Sequence, residues 1–235
     1  MSDRSVDDEF APVLEGSGAS DYERYLRTDE LLSLQKKPEE MAHRDELLFQ
    51  TVHQSSELWL KHACFELDAA TELVGAGSVA QAARLLRRAT LGLRLITDQL
   101  SMLDHLSPWD YQQIRTVLGH GSGFDSPGFV NLKGATTRLG QALQAALSGA
   151  GLSLDDVYQG GAEHEELYQL VEVMTDWDEA LCVWRYKHLM VVERIIGDVV
   201  GTQGTPVDQL RALLAHRYYP ELWLVRTRLT EAAGG

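Results

Sequence analysis

A chain of 235 residues, 44% of them hydrophobic, can bury a sizeable core as one large domain or two small ones. Its formal net charge of -14 argues against nucleic-acid binding, which relies on a basic footprint. Two cysteines, Cys64 and Cys182, are too few and too far apart for a disulfide framework or a zinc cluster, so inert thiols in a reducing cytoplasm are expected. No apolar run approaches the roughly 18 residues of a membrane span, and the acidic stretch "MSDRSVDDEF" has no apolar core of an export signal, so neither membrane nor export is expected.

In chain order, residues 1–20 are rich in Gly, Ser and Asp without periodicity and read as a flexible arm, leaving residues 21–235 as a single helical domain. From Asp45, an N-cap candidate, to Val74, the residues Leu48, Val52, Trp59, Ala63 and Leu67 recur at helical spacing until "GAGS" at Gly75 to Ser78 stops them. A second helix is predicted from about Val79 to His105, with an apolar stripe of Leu86, Leu93, Ile96, Leu100 and Leu103, returning antiparallel to the first. Ser107-Pro108 signals a short helix that ends at Gly119 and carries Tyr111 and Arg115 on one face. The stretch "GHGSGFDSPG", Gly119 to Gly128, reads as a loop whose backbone can approach a ligand closely. A helix around Thr136 to Leu147, a break at "SGAGLS" and a long apolar-periodic region from about His164 to Val200 follow. With no period-2 alternation bounded by hairpin turns, the fold class is all-α, a bundle of long helices with short connections.

The common catalytic signatures are missing: there is no GxSxG elbow, P-loop, GxGxxG, HExxH or CxxC. "GHGSG" looks like a phosphate cradle but follows a helix and lacks the lysine. Two histidines stand out. His53 has Phe49 at i−4 and Leu60 at i+7, and His188 has Trp184 at i−4, Val191 at i+3 and Ile195 at i+7, so both are expected to be buried on apolar stripes. They are either core histidines each satisfied by a hydrogen bond, or facing imidazoles of the kind by which bundles hold haem. Tyr111 and Arg115 are likewise either surface groups or a clamp for a substrate carboxylate. "GTQGTP", Gly201 to Pro206, reads by itself as a turn.

Taken together, these stretches resemble the tryptophan 2,3-dioxygenase family, haem-dependent enzymes that open the indole ring. The resemblance is carried by "YERYLRTDELLSLQ", "DELLFQTVHQSSELWLKHACFEL", "YQQIRTVLGHGSGFDS", "WRYKHLMVVERIIG", "GTQGT" and "YYPELWLVRTRL", in the family's order along nearly the whole chain after residue 20. It implies haem b with His188 as the proximal iron ligand, and His53 on the distal side near the indole N–H as the catalytic residue. It further implies Phe49 as the aromatic wall, Arg115 and Tyr111 as the carboxylate clamp, Thr202 as a partner of the substrate ammonium, and Ser122 and Gly123 as loop residues over haem and substrate. Tyr22, Tyr25 and Leu26 match a segment that completes a neighbouring subunit's pocket, which implies a homotetramer. Within "TVHQSSELWLKH", Thr51 to His62, unpaired polar groups are costly, so Ser55, Ser56 and Glu57 should hydrogen-bond between helices or subunits while His53 meets the ligand.

The chain departs from the family pattern at "PGFVNLKG", Pro127 to Gly134, where a Tyr-Arg-Glu segment is usual, and at "GTQGTPVDQL", where Gln203 and Pro206 alter a "GTGG" run. Three readings follow. One is ring-opening dioxygenation of tryptophan or a substituted tryptophan; a second is insertion of one oxygen atom to give a 2-oxindole, with two external electrons; the third is a haem-binding protein without turnover. In the first two His53 orients the indole, whose N–H is too weakly acidic for imidazole to deprotonate readily.

Overall fold

A computed structural model of the chain describes residues 11–198 and 207–234. The first described helix, α1 (Asp21–Leu26), starts at a capping box: the Ser20 hydroxyl accepts from the Glu23 N–H and the Glu23 carboxylate accepts from the Ser20 N–H. The segment before it folds back on this helix, because the Asp21 carboxylate accepts the Val13 and Leu14 N–H groups and the Arg24 Nε donates to the Gly18 carbonyl. Those two backbone donors also hold the Asp21 carboxyl below its ordinary pKa. After α2 (Thr28–Leu32) the chain reaches the first long helix, α3 (Glu46–Gly75), whose N-cap is Asp45 as the sequence predicts, although the Asp45 side chain makes no capping hydrogen bond. Buried Glu46 instead ties the helix start to what precedes it, accepting from the Ala42 N–H and pairing with Lys36.

The second long helix, α4 (Val79–Gln99), is shorter than expected, because its last turns tighten into a 3₁₀ segment over Leu100–His105. Leu100 and Leu103 are both buried there, and a 3₁₀ turn aligns residues three apart on one side. Ser107 caps α5 (Pro108–Arg115) by accepting from the Asp110 N–H; the helix ends at Arg115 rather than at Gly119. The long helix α6 (Pro127–Ala150) begins well before the predicted Thr136. Ser126 and Pro127 form the same Ser-Pro start as at residues 107 and 108, hidden in a glycine-rich stretch. Gly128 belongs to this helix because α3 lies against it: a Cβ at that position would sit 2.7 Å from Glu57 and from Leu60. The short α7 (Leu154–Gln159) leads into α8 (Glu165–Ile196), and α9 (Val207–Ala212) and α10 (Pro220–Gly234) complete the described chain. No strand occurs among the described residues, in agreement with the all-α expectation. No described helix is long and apolar enough to cross a membrane.

In the bundle α3 packs against α4 and α6, and α4 against α8. The backbones of α6 and α8 stay further apart and meet through large side chains: the buried Trp177 indole donates to the Thr136 hydroxyl at 3.2 Å, and Phe129 packs on Trp184. The main core gathers Leu60, Leu67, Leu86, Leu93, Leu139 and Trp177 from these four helices. A second apolar cluster closes one end, built from Val52, Leu103, Tyr111, Ile114, Val191 and Ile195. Trp184 packs against both clusters, which places the α8 segment around residue 184 at their junction.

Helix α10 is docked by one buried acid, Asp178 of α8, which accepts the N–H groups of Tyr218 and Tyr219 and the indole N–H of Trp223. The Tyr219 hydroxyl reaches across to the Thr136 carbonyl at 2.8 Å. Gly140 makes room, since a Cβ there would come within 2.9 Å of the Tyr219 ring.

Candidate functional site

The polar strip of α3 resolves into two jobs. Ser55 donates to the Gln99 side-chain oxygen at 2.8 Å, and the Gln99 amide donates to the Ser56 hydroxyl at 2.6 Å and to the Val52 carbonyl at 3.1 Å. Glu57 receives the Ser126 hydroxyl on one oxygen and the Gly128 N–H, 2.9 Å away, on the other. Four of the five polar groups in "HQSSE" are therefore paired outside their own helix, Gln54 accepting from the Gln35 amide at 2.6 Å and donating to the Leu34 carbonyl at 3.3 Å, as the cost of burying them unpaired demands. Gln99 was not singled out in the sequence; its only signal is an amide at the end of an otherwise apolar stripe.

His53 remains, and it faces outward from this network. Its Nδ1 lies 2.7 Å from the Phe49 carbonyl one turn earlier. A carbonyl oxygen only accepts, so Nδ1 carries the proton and Nε2 keeps a lone pair. The Phe49 ring lies 4.1 Å from the His53 ring and 6.0 Å from Tyr111, joining α3 to α5. Tyr111 is buried, as its place on the apolar face of α5 requires, and burial pushes its phenol upward against the opposing pull of the Arg115 charge. The phenol thus stays a neutral donor beside a half-buried guanidinium.

On α8 the His188 ring lies parallel to Trp184, with centroids 4.9 Å apart and planes 8° from parallel, and Phe129 packs on Trp184 at 4.1 Å. Desolvation, and then the nearness of His53, push His188 down to about 4; desolvation also lowers His53, against the opposing pull of the Phe49 carbonyl and Glu57. Both imidazoles are neutral at physiological pH.

The expectation that both histidines are buried needs correction: His53 is exposed and His188 is half-buried. Their i−4 and i+7 neighbours mark the edge of each apolar stripe, so the rings stand at the border of the core rather than in it. Both rings are nevertheless desolvated enough to disfavour their charged form. Among the described residues neither ring nitrogen of His188 has a hydrogen-bond partner, which removes the reading of two core histidines each satisfied by the fold.

The remaining predicted residues are placed as follows. Ser122 is half-buried and Gly123 exposed, at the start of a 3₁₀ turn over Gly123–Asp125. The Ser122 hydroxyl accepts the Phe124 N–H and its own N–H donates to Asp125, so this turn is locally closed, and Glu57 fixes the helix start just after it. Tyr22, Tyr25 and Leu26 are exposed on α1 by 69%, 78% and 45%. No hydrogen bond or ring contact joins them to either histidine among the described residues. Thr202, with Gln203 and Pro206, lies outside the described residues. Cys64 and Cys182 are half-buried free thiols that burial pushes upward, away from the reactive thiolate.

Fold and site together define a helical bundle of the class that builds ligand and cofactor sites from side chains on facing helices. Comparison with known proteins narrows this class. The model of the family described as tryptophan 2,3-dioxygenase matches residues 7–142 and 137–229, and the chain belongs to that family. It is similar to proteins named tryptophan 2,3-dioxygenase from Caulobacter vibrioides, at 36% identity over 88% of this chain and 98% of that protein, and from Exiguobacterium sibiricum, at 31% over 88% and 92%. A third, from Myxococcus xanthus, is 31% identical over 91% of each chain.

Proposed function

We propose that this protein is a haem-dependent oxygenase that opens the indole ring of tryptophan, with the site between His53 of α3 and His188 of α8. The observation that carries this reading is the match to the family over most of the chain, beside a His188 ring whose nitrogens are uncommitted among the described residues. That donor set suits an iron porphyrin, because a neutral imidazole nitrogen with a free lone pair is the form that ligates iron. When bound through His188, haem b supplies the site at which dioxygen is activated.

The chain's own residues supply position. His53, protonated at Nδ1 by its bond to the Phe49 carbonyl, offers Nε2 as an acceptor to the indole N–H. Its lowered pKa makes it a poor base, so it orients the indole rather than deprotonating it. Phe49 provides a flat wall beside His53, and Tyr111 with Arg115 takes the amino-acid carboxylate, the phenol as donor and the guanidinium as counter-charge. Thr202 takes the ammonium, and Ser122 and Gly123 cover haem and substrate. Tyr22, Tyr25 and Leu26 complete the pocket of a neighbouring copy in a homotetramer, a role that their exposure on α1 supports.

Replacing Arg115 by leucine is expected to raise the Kd for tryptophan about 10- to 100-fold while leaving haem content unchanged, since a carboxylate loses its charged partner in a desolvated site. Unchanged affinity would remove Arg115 from the clamp. The reaction itself is tested by product mass under labelled dioxygen: two labelled atoms in an N-formylkynurenine-type product are expected. One labelled atom in a 2-oxindole, with dependence on a reductant, or no turnover of any indole amino acid, contradicts the proposal.

A further inference from the structure

The Trp184 and His188 rings are the one near-parallel pair among the described aromatic contacts of the site; Phe49 with His53, Phe49 with Tyr111 and Phe129 with Trp184 are all tilted by 32° or more. Two rings a turn apart on one helix have freedom to splay, so a parallel pair calls for a third group that presses them together. Phe129 is that group. It packs on the indole 4.1 Å away and comes from the first turn of α6. This turn is in turn fixed to α3, because Glu57 receives both the Ser126 hydroxyl and the Gly128 N–H. A carboxylate across a helix N-terminus is held by the helix dipole as well as by the free N–H groups. The stack is thus anchored at one end in α8 and at the other, through the start of α6, in the helix that carries His53.

A metal-ligating histidine is ordinarily oriented by a hydrogen bond from its second ring nitrogen to a carboxylate, carbonyl or water. We propose that in this protein Trp184, backed by Phe129, orients the His188 ring by stacking, so that both are positioning residues for the iron ligand. The proposal rests on the reading of His188 as that ligand. Stacking fixes the plane of the imidazole without placing an anion beside it, so the ligand keeps the character of a neutral donor.

The test uses the full-length protein with Trp184→Leu, Trp184→Phe, Phe129→Ala and His188→Ala, and two readouts. The first is the ring-proton chemical shift of His188 in the haem-free protein, which the face of an adjacent indole displaces. The second is the affinity for haem b by titration, together with the iron–histidine stretching band of the reduced holoprotein. Trp184→Leu is expected to abolish the displaced shift, to weaken haem binding about 3- to 10-fold and to broaden the stretching band. Trp184→Phe restores most of each signal, and Phe129→Ala falls between. Wild-type shift and haem affinity in Trp184→Leu overturn the proposal; should that variant fail to fold, wild-type values in Phe129→Ala do so. His188→Ala separates the two claims. If it keeps wild-type haem binding, the ligand reading fails; if it loses haem while Trp184→Leu behaves as wild type, only the stacking claim fails.

Discussion

Replacing Asp178 by alanine is expected to cost the fold about 3 kcal/mol or more, seen as a fall of roughly 6 to 12 °C in the thermal midpoint. Asp178 has no exposed surface, and its carboxylate accepts the N–H groups of Tyr218 at 3.0 Å and Tyr219 at 3.1 Å and the Trp223 indole N–H at 3.1 Å. Two of those donors stand just ahead of α10, where a helix has N–H groups without intrahelical partners and where its dipole favours an anion. Alanine leaves three donors unpaired in a place water does not reach, and each carries its own desolvation penalty. Asparagine keeps one acceptor oxygen but turns an amide N–H toward a donor, so it should fall between alanine and wild type. Far-ultraviolet circular dichroism melts of the three proteins settle the matter, and a midpoint for the alanine variant within about 2 °C of wild type would show that α10 is docked by other contacts. Tyr219 and Leu222 belong to the main core, so undocking α10 also uncovers the middle of α8 around Asp178 and the part of α6 that Tyr219 reaches.

Much of this architecture was legible in the sequence because its signals are local. The 3.6-residue spacing of Val52, Ala63 and Leu67 and the glycine-rich stop after Val74 gave the extent of α3 to within a residue at each end. The start of α6 was missed for a tertiary reason. Ser126-Pro127 is a sound helix start, but a glycine in the next position argues for a loop until the approach of Leu60 and Glu57 shows why only glycine fits. The tightening of α4 beyond Gln99 was hidden because Leu100 and Leu103 satisfy α-helical and 3₁₀ spacing alike.

At the site, the pairing of Ser55, Ser56 and Glu57 followed from the cost of leaving them unpaired, whereas their partners, Gln99 and the start of α6, depend on which helices become neighbours. Burial of the two histidines was misread for a related reason: helical periodicity identifies which face a ring is on, but not whether the facing helix comes close enough to cover it. Asp178 was invisible because it is one of three acids within "MTDWDEALCV", and nothing in that stretch marks which of them faces inward. A carboxylate at an inward position of an otherwise apolar run, with a Tyr-Tyr-Pro helix start elsewhere in the chain, is the pattern that would have found it. The resemblance to the family reached further than periodicity did, since it tied distant blocks to one another before any contact between them was known.

Replacing His188 by alanine is expected to have the largest effect on the site, because in the proposed function it removes the nitrogen that ligates iron. The His188 nitrogens are uncommitted among the described residues, its neutral form is favoured by burial, and its ring stacks on Trp184, which Phe129 of α6 backs, an arrangement suited to presenting a lone pair in one direction. Alanine takes away that lone pair and leaves the stack of Phe129 on Trp184 in place. Fold and thermal midpoint should therefore remain close to those of wild type. The direct measurement is the visible absorption spectrum of purified wild-type and His188→Ala protein after reconstitution with haem b and removal of excess. Wild type is expected to retain a sharp Soret band that shifts on adding tryptophan to the reduced protein, and the variant to lose it. A Soret band of unchanged intensity and position in His188→Ala would contradict the account.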